Sequence, residues 1–369
     1  MDFKPTEQQE LIRNGARAFF KKEFPLSRLR QVEERGLSEF LPVYRQMGDL
    51  GFLGIAIPEE YGGSGGNWVD LAIFNEETGR ALVPPLHVSA ATLVGQALLS
   101  LGSRAQKEKW LQPLASGQTI VAPAYIEEGR DPRAPELRTM ASARGDGFVL
   151  RGAKRFVEAF DVASALLVTA TDPAGAARLF LVPREQSGLR HREWVLQSLD
   201  RVADVNLESV AVPREAALQG DAWGAWLDAV DGAKIALAAY AVGAAQAALE
   251  MATAYSKMRV QFGRPIGSFQ SLQHKLADAA MQVEQARTLV HYAAWLRQAN
   301  GSCREEAAMA KLLAGNAFRQ VGYAATLTHG GYGFMEEQDI QLYFRRAKLL
   351  EHQVDSPDAQ KEIIIPAAG

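Results

Sequence analysis

The feature that most constrains this chain is a change of hydrophobic period, with helical spacing on both sides of a stretch of short runs that suit only strands. From Thr6 to about Gln118 apolar residues recur at helical intervals, as in VDLAIFNEETGRAL. Two helix starts pair a hydroxyl with a glutamine three residues on, Thr6 with Gln9 and Ser103 with Gln106, so that the two side chains reciprocally satisfy orphan N–H groups. Between them, LPVYRQMGDLGFLGIAIPEEYGG reads as a helix entering a Gly- and Pro-rich loop. From about Val121 to Leu218 come RTMASA, GFVLRGAK, SALLVTA, RLFLVP and LESVAVP, separated by turn signals at Gly145-Asp146-Gly147, Asp172-Pro173 and Ser187-Gly188. These runs lie too close together for intervening helices, so a small antiparallel sheet or barrel is expected. From Trp223 onward, long helices with broad apolar faces follow, as in a bundle, and their many alanines suit close packing. The expected fold class is α+β, mostly α: a helical domain over 1–120, a middle antiparallel β domain over 121–222 and a C-terminal helical bundle over 223–369.

With 369 residues and 47% apolar content, the chain can bury a substantial core. Forty Lys and Arg against 43 Asp and Glu leave a net charge of −3, which offers no basic surface to nucleic acid or to an anionic membrane. Cys303 is the only cysteine, so disulfides, thiolate zinc clusters and Cys-x-x-Cys redox pairs are excluded, in keeping with a reducing cytoplasm. The opening MDFKPTEQQELIRNG lacks the order of a secretory signal and is too acidic for a transit peptide, so a mature start is expected. The longest apolar stretch, Ile235 to Ala245, is eleven residues, where a membrane span needs about twenty; it reads as a buried helix.

No HExxH, Walker lysine loop, GxSxG elbow or GxGxxG fingerprint is present, and the six histidines are scattered, so no metal site is expected. His274 reads as a packed or surface residue; His329, beside glycines, is the stronger candidate. Two segments carry chemistry. The first, Arg259-Val-Gln-Phe-Gly-Arg-Pro-Ile-Gly-Ser-Phe-Gln270, is a polar arm joining two long helices. Its arginine suits bidentate bonds to a phosphate, Phe262 an adenine face, and Gln261 and Gln270 ribose or pyrophosphate oxygens. A capped interhelical turn with a solvated arginine accounts for the same residues, and local physics alone favours it. The second, His329-Gly-Gly-Tyr-Gly-Phe334, permits a tight turn and close backbone approach to a ligand, and spacing alone does not separate a ligand site from a bare turn.

Taken in order, these segments resemble the acyl-CoA dehydrogenase family, and the likeness covers nearly the whole chain: GFLGIAIPEEYGGSGG, the G-x-K step at Gly152 to Lys154, RVQFGRPIGSFQSLQHKLAD, HGGYGF and FRRAK. The resemblance implies an N-terminal helical domain, a middle β domain and a C-terminal four-helix bundle, a dimer or tetramer of homologous subunits with FAD at a subunit interface, acyl-CoA as substrate and an electron-transferring flavoprotein as electron acceptor. It assigns cofactor contacts to Arg259, Gln261, Phe262, Gly263, Phe269, Gln270, Gly330 and Gly331, with Phe156 and Ser356 at the flavin. The family's chemistry needs a carboxylate that takes the α-proton of the thioester while the β-hydrogen leaves as hydride to the flavin.

Several positions depart from the family pattern. Aligned on Arg345-Arg-Ala-Lys348, the family's EGT triplet falls on Val354-Asp355-Ser356, so its glutamate base is replaced by Val354; Asp355 is the nearest acid. The alternative base position, on the first C-terminal helix, reads Ala233, beside Asp231 and Gly232. The family's W-I-T reads Phe156-Val157-Glu158, which makes Glu158 a second acid–base candidate. The TEPxAGSD loop reads Ile126-Glu-Glu-Gly-Arg-Asp-Pro-Arg133, with bulky charges where small residues are usual, and the glutamine before the glycine turn is Leu327. The arm is intact while the base position is altered, so the expectation is one of two unlike subunits. A homomeric enzyme using Asp355 and a non-catalytic scaffold or acyl-CoA-binding module are the alternatives.

Overall fold

A computed structural model of the chain describes residues 4–365. Two compact units emerge: Met1–Arg30, Asn67–Val83 and Lys234–Gly369 form one, and Gln31–Gly66 with Pro84–Ala233 the other.

In the first unit, helix α1 (Glu7–Glu23) starts with the predicted box: Gln9 N donates to Thr6 Oγ1 (3.2 Å) and Thr6 N to Gln9 Oε1 (2.9 Å). Helix α2 (Leu26–Arg35) follows, its first residues in this unit, and then α4 (Trp68–Arg80), where Asn67 and Asp70 form a second reciprocal cap. The remainder comprises α7 (Ala222–Met258, from Lys234 onward), α8 (Gln270–Asn300), α9 (Arg304–His329), α10 (Ile340–His352) and α11 (Pro357–Ile364). The small residues expected to bring helices together do so where α4 meets α7. A Cβ at Gly243 would lie 1.8 Å from the Glu76 carbonyl oxygen, and one at Gly79 would lie 1.9 Å from that of Tyr240. Helix α7 is long and apolar enough to cross a membrane by composition, but 83% of its apolar window is buried in the protein.

The second unit contains α3 (Leu41–Asp49), a π-helical turn (His87–Leu93), α5 (Val94–Leu101) and α6 (Arg104–Ala115). Its seven-stranded sheet comprises β1 (Val121–Ala124), β2 (Met140–Arg144), β3 (Gly147–Glu158), β4 (Ala165–Thr171), β5 (Ala177–Pro183), β6 (Leu189–Val195) and β7 (Arg201–Pro213). The order is β1-β4-β2-β3-β7-β6, with β5 also on β4. The pairs β2–β3, β4–β5, β6–β7 and β3–β7 are antiparallel, whereas β2 meets β4 parallel at Met140 and Thr171, and β1 runs parallel to β4 with Val121 opposite Ala165. The β1–β4 pairing is possible because about forty residues, β2 and β3 among them, separate the two strands and can carry the return crossing. Both β1 and β4 are buried along their whole length, as strands covered on two faces are, although β1 ends the strand order.

Candidate functional site

The arm and the glycine turn, far apart in sequence, border one groove of about 670 Å³ in the first unit. At the end of α7 the chain forms a two-residue hairpin, with β8 (Val260–Gln261) paired to β9 (Arg264–Pro265). Phe262 (φ +54°) and Gly263 (φ +78°) form its tip, both left-handed as a tight hairpin turn demands. Phe262 pays a conformational cost there and stays 92% exposed, touching the Phe269 ring edge-on at 6.0 Å. The Arg264 guanidinium lies 4.3 Å from the Phe269 ring, and Gln270 opens α8. Arg259, Gln261, Gly330 and Gly331 line the groove, whereas Phe262, Gly263, Phe269 and Gln270 lie outside its lining. The Arg259 side chain is exposed and has no partner among the described residues.

On the opposite wall His329 stacks on Tyr255 with ring centres 4.3 Å apart, and its Nδ1 bonds the Ala325 carbonyl oxygen at 2.8 Å. The chain reverses at Gly330 (φ +62°), and a Cβ at Gly330 or Gly331 would meet nothing within 4 Å. Protein packing therefore does not demand glycine at Gly331, while an incoming ligand would gain direct access to its backbone. An unpaired guanidinium, a solvent-facing aromatic ring and an open glycine wall fit the adenine-diphosphate half of FAD. His274 is exposed on α8 and stands outside this groove.

The β-unit candidates sit on β3. A register shift between Lys154 and Val157 bends the strand and leaves Phe156 at φ +52° and 53% exposed, with its N–H donating to Asp204 Oδ1 (3.4 Å). Glu158 is half-buried opposite Val202. The loop before this strand differs from its sequence reading. Glu127, counted among bulky charges near a ligand path, turns inward and is 4% exposed. It accepts from Lys154 Nζ (2.7 Å), Thr139 Oγ1 (2.6 Å), Thr139 N (3.0 Å) and Arg138 N (2.5 Å). Burial opposes its charge, but the Lys154 ammonium and these donors outweigh it and hold the carboxyl below the usual range. Burial pushes Lys154 down to about 8 despite Glu127. Glu128 and Asp131 do stay outside: Glu128 meets Arg155 at 3.2 Å, and Asp131 meets Arg133, whose own side chain is only 15% exposed, at 2.6 Å.

Val354, Asp355 and Ser356, where the sequence reading expects the base, lie in the turn between α10 and α11. Val354 is 8% exposed with φ +70°, Asp355 is 3% exposed, and the Ser356 hydroxyl accepts from Ala359 N (3.2 Å) as the cap of α11. Lys234 on α7 reaches Asp355 Oδ2 at 3.2 Å, and Lys311 on α9 donates to the Leu350 carbonyl at 2.6 Å. Sequence reading passed over both lysines, although each is a lone charge in an apolar helical run, IALAAYAV after Lys234 and AAMA before Lys311. Ala233, at the alternative base position, is fully buried.

Comparison with known proteins covers both ends of the chain. Residues 6–118 match the model for the acyl-CoA dehydrogenase N-terminal domain and residues 220–363 that for the C-terminal domain. The chain is 36% identical to a probable acyl-CoA dehydrogenase, YngJ, of Bacillus subtilis, over 99% of this chain and 98% of that protein. Butyryl-CoA dehydrogenase from Megasphaera elsdenii superposes with a TM-score of 0.90 at 29% identity, covering 99% of this chain and 98% of that one. A variant of the steroid ACAD Tcur3481-Tcur3483 superposes with a TM-score of 0.87 at 31% identity, covering 97% and 96%.

Proposed function

The chain belongs to the acyl-CoA dehydrogenase family, and from that premise we propose that it is one of two unlike subunits of a cytoplasmic FAD-dependent acyl-CoA dehydrogenase, with its own proton-acceptor position vacant. Members of this family are flavoprotein oxidoreductases acting on CH–CH bonds. The observation that carries the proposal is Val354: an aliphatic side chain, incapable of taking a proton, at the position where the family keeps a glutamate. The steroid enzyme among the similar structures is named as a pair of components, which supports an unlike partner and a bulky acyl group. In this reading a helical domain to residue 120, a β domain to 222 and a helical domain beyond build the subunit.

Bound FAD supplies the acceptor for the substrate's β-hydrogen. This chain's residues do the holding. Arg259 would neutralise the diphosphate, Phe262 would offer its exposed ring to the adenine, and Gln261 would supply an amide for oxygen atoms of the ribose or diphosphate. Gly330 and Gly331 let backbone approach the ligand where any side chain would intrude. Phe156 on the β sheet is the residue that would contact the flavin ring, and an electron-transferring flavoprotein is the expected electron acceptor. The α-proton is taken by a carboxylate of the partner subunit.

The test is to purify the chain alone and co-expressed with the homologue encoded beside it, then to measure FAD per chain by visible absorption and oxidation of acyl-CoA thioesters. The expected outcome is activity only in the co-expressed pair. Full flavin occupancy together with acyl-CoA oxidation by the lone chain rejects the proposal. A colourless pair that cannot be reconstituted with FAD points instead to a non-catalytic scaffold.

A further inference from the structure

The turn between α10 and α11 places a strained residue directly before a buried charge. A β-branched side chain at φ +70° crowds its own backbone, and Val354 keeps that conformation only if its surroundings over-determine it. The flanking contacts are specific. On the N-terminal side Gln353 N donates to the Leu349 carbonyl (3.0 Å), continuing the last turn of α10. On the C-terminal side the Asp355 carbonyl accepts from Gln360 Nε2 (3.3 Å), and Ser356 caps α11. The Asp355 carboxylate points into the protein at Lys234 Nζ, with both side chains no more than 2% exposed. Neither carboxylate oxygen has a well-directed hydrogen bond, so what holds it there is charge. Lys311, also buried, completes the set: burial pushes its ammonium down to about 8, Asp355 acts against that, and Lys234 adds to it. One ammonium thus meets the turn's carboxylate directly, while the other, bonded to the Leu350 carbonyl at 2.6 Å, acts on it through space.

We propose that Asp355 is a positioning residue: with Lys234 and Lys311 it clamps the α10–α11 turn to α7 and α9 and holds residue 354 in its left-handed conformation, its carboxylate serving as counter-ion and not as proton acceptor. This rests on the reading of residue 354 as the emptied base position. Removing the carboxylate leaves two like charges buried together, so the turn has no reason to stay tucked in and Val354 is free to relax to an extended backbone. Glycine at 354 adopts a positive φ without strain and makes the clamp dispensable.

The experiment uses the protein co-expressed with its partner. Asp355→Asn should lower Tm by on the order of 5–10 °C. Val354→Gly in that background should recover at least half of the loss, while changing Tm little in the unaltered protein. Strictly additive effects of the two substitutions overturn the clamp. A second arm installs a carboxylate through Val354→Glu and follows flavin bleaching by straight-chain and steroid side-chain acyl-CoA thioesters. With that carboxylate present, Asp355→Asn should cut kcat about tenfold at unchanged KM and FAD content, as expected when a reacting group is misplaced. Should Val354→Glu bring no gain in bleaching, the reading of 354 as the base position fails, while the thermal comparison still judges the clamp. Should Asp355→Asn alone abolish bleaching that the unaltered protein displays, at unchanged Tm, then Asp355 is the base and the clamp is wrong.

Discussion

Buried charge is a recurrent device at the residue scale, and three lysines show how it is accommodated. Lys154, Lys234 and Lys311 are at most 2% exposed, and each meets a carboxylate or a carbonyl. Replacing one partner strands the other, which costs about 3–5 kcal/mol. Lys154→Met should therefore lower unfolding free energy by that amount in urea titration, because Glu127 keeps its charge and loses its cation. Glu76 offers a pH test. It meets His291 Nε2 at 2.7 Å and Arg287 Nε at 3.2 Å; burial opposes its ionisation, but His291 and then Arg287 outweigh that and hold the carboxyl below its ordinary 4.5. A carboxyl with a depressed folded pKa gives stability that is complete above 4.5 and is lost as pH falls through the folded value. Glu76→Gln should lower Tm near neutrality and flatten its decline below pH 4.5, as thermal scans across acid pH would register.

Among the elements, the crossing of α4 and α7 is the tightest test of the helical packing. Alanine at 243 places a methyl carbon 1.8 Å from the Glu76 carbonyl oxygen, so one helix must move. Gly243→Ala should cost about 1–3 kcal/mol, read from chemical denaturation, since overpacked contacts relax only by shifting backbone. The helix starts at Thr6 and Ser103 were legible in the sequence because a capping box is local, with donor and acceptor three residues apart. The parallel pairing of β1 with β4 was not, because register between distant strands depends on the rest of the sheet. The same holds for the bend in β3 that exposes Phe156: a bulge is a relation between two strands, and no single strand's pattern announces it.

For the whole molecule, the groove is where segments separated by two long helices meet, and it tests the cofactor assignment. Arg259 is exposed and unpartnered among the described residues, so its loss should leave folding intact. Arg259→Leu in the co-expressed protein should raise the FAD dissociation constant roughly 10–100-fold, the worth of a charged hydrogen bond, with unchanged circular dichroism. Equal FAD affinity in the variant would remove Arg259 from the cofactor's diphosphate. Four residues named from sequence, Arg259, Gln261, Gly330 and Gly331, share that groove, whereas Glu158 and Asp355 belong to different units of the chain.

The sequence by itself determined the order helical, β, helical, the helix starts and the two segments that border the groove, since each is written in residue types at short spacing. Tertiary structure alone decided which charges are buried and whom they meet. In the sequence Glu127 was one of several bulky charges in its loop, and only the fold encloses it with Lys154 and Thr139; Lys234 and Lys311 became a set only once α7, α9 and the turn at Asp355 converged. The reason is physical: a charge survives burial only beside its counter-charge, and that neighbour is chosen by the folded path, not by distance along the chain.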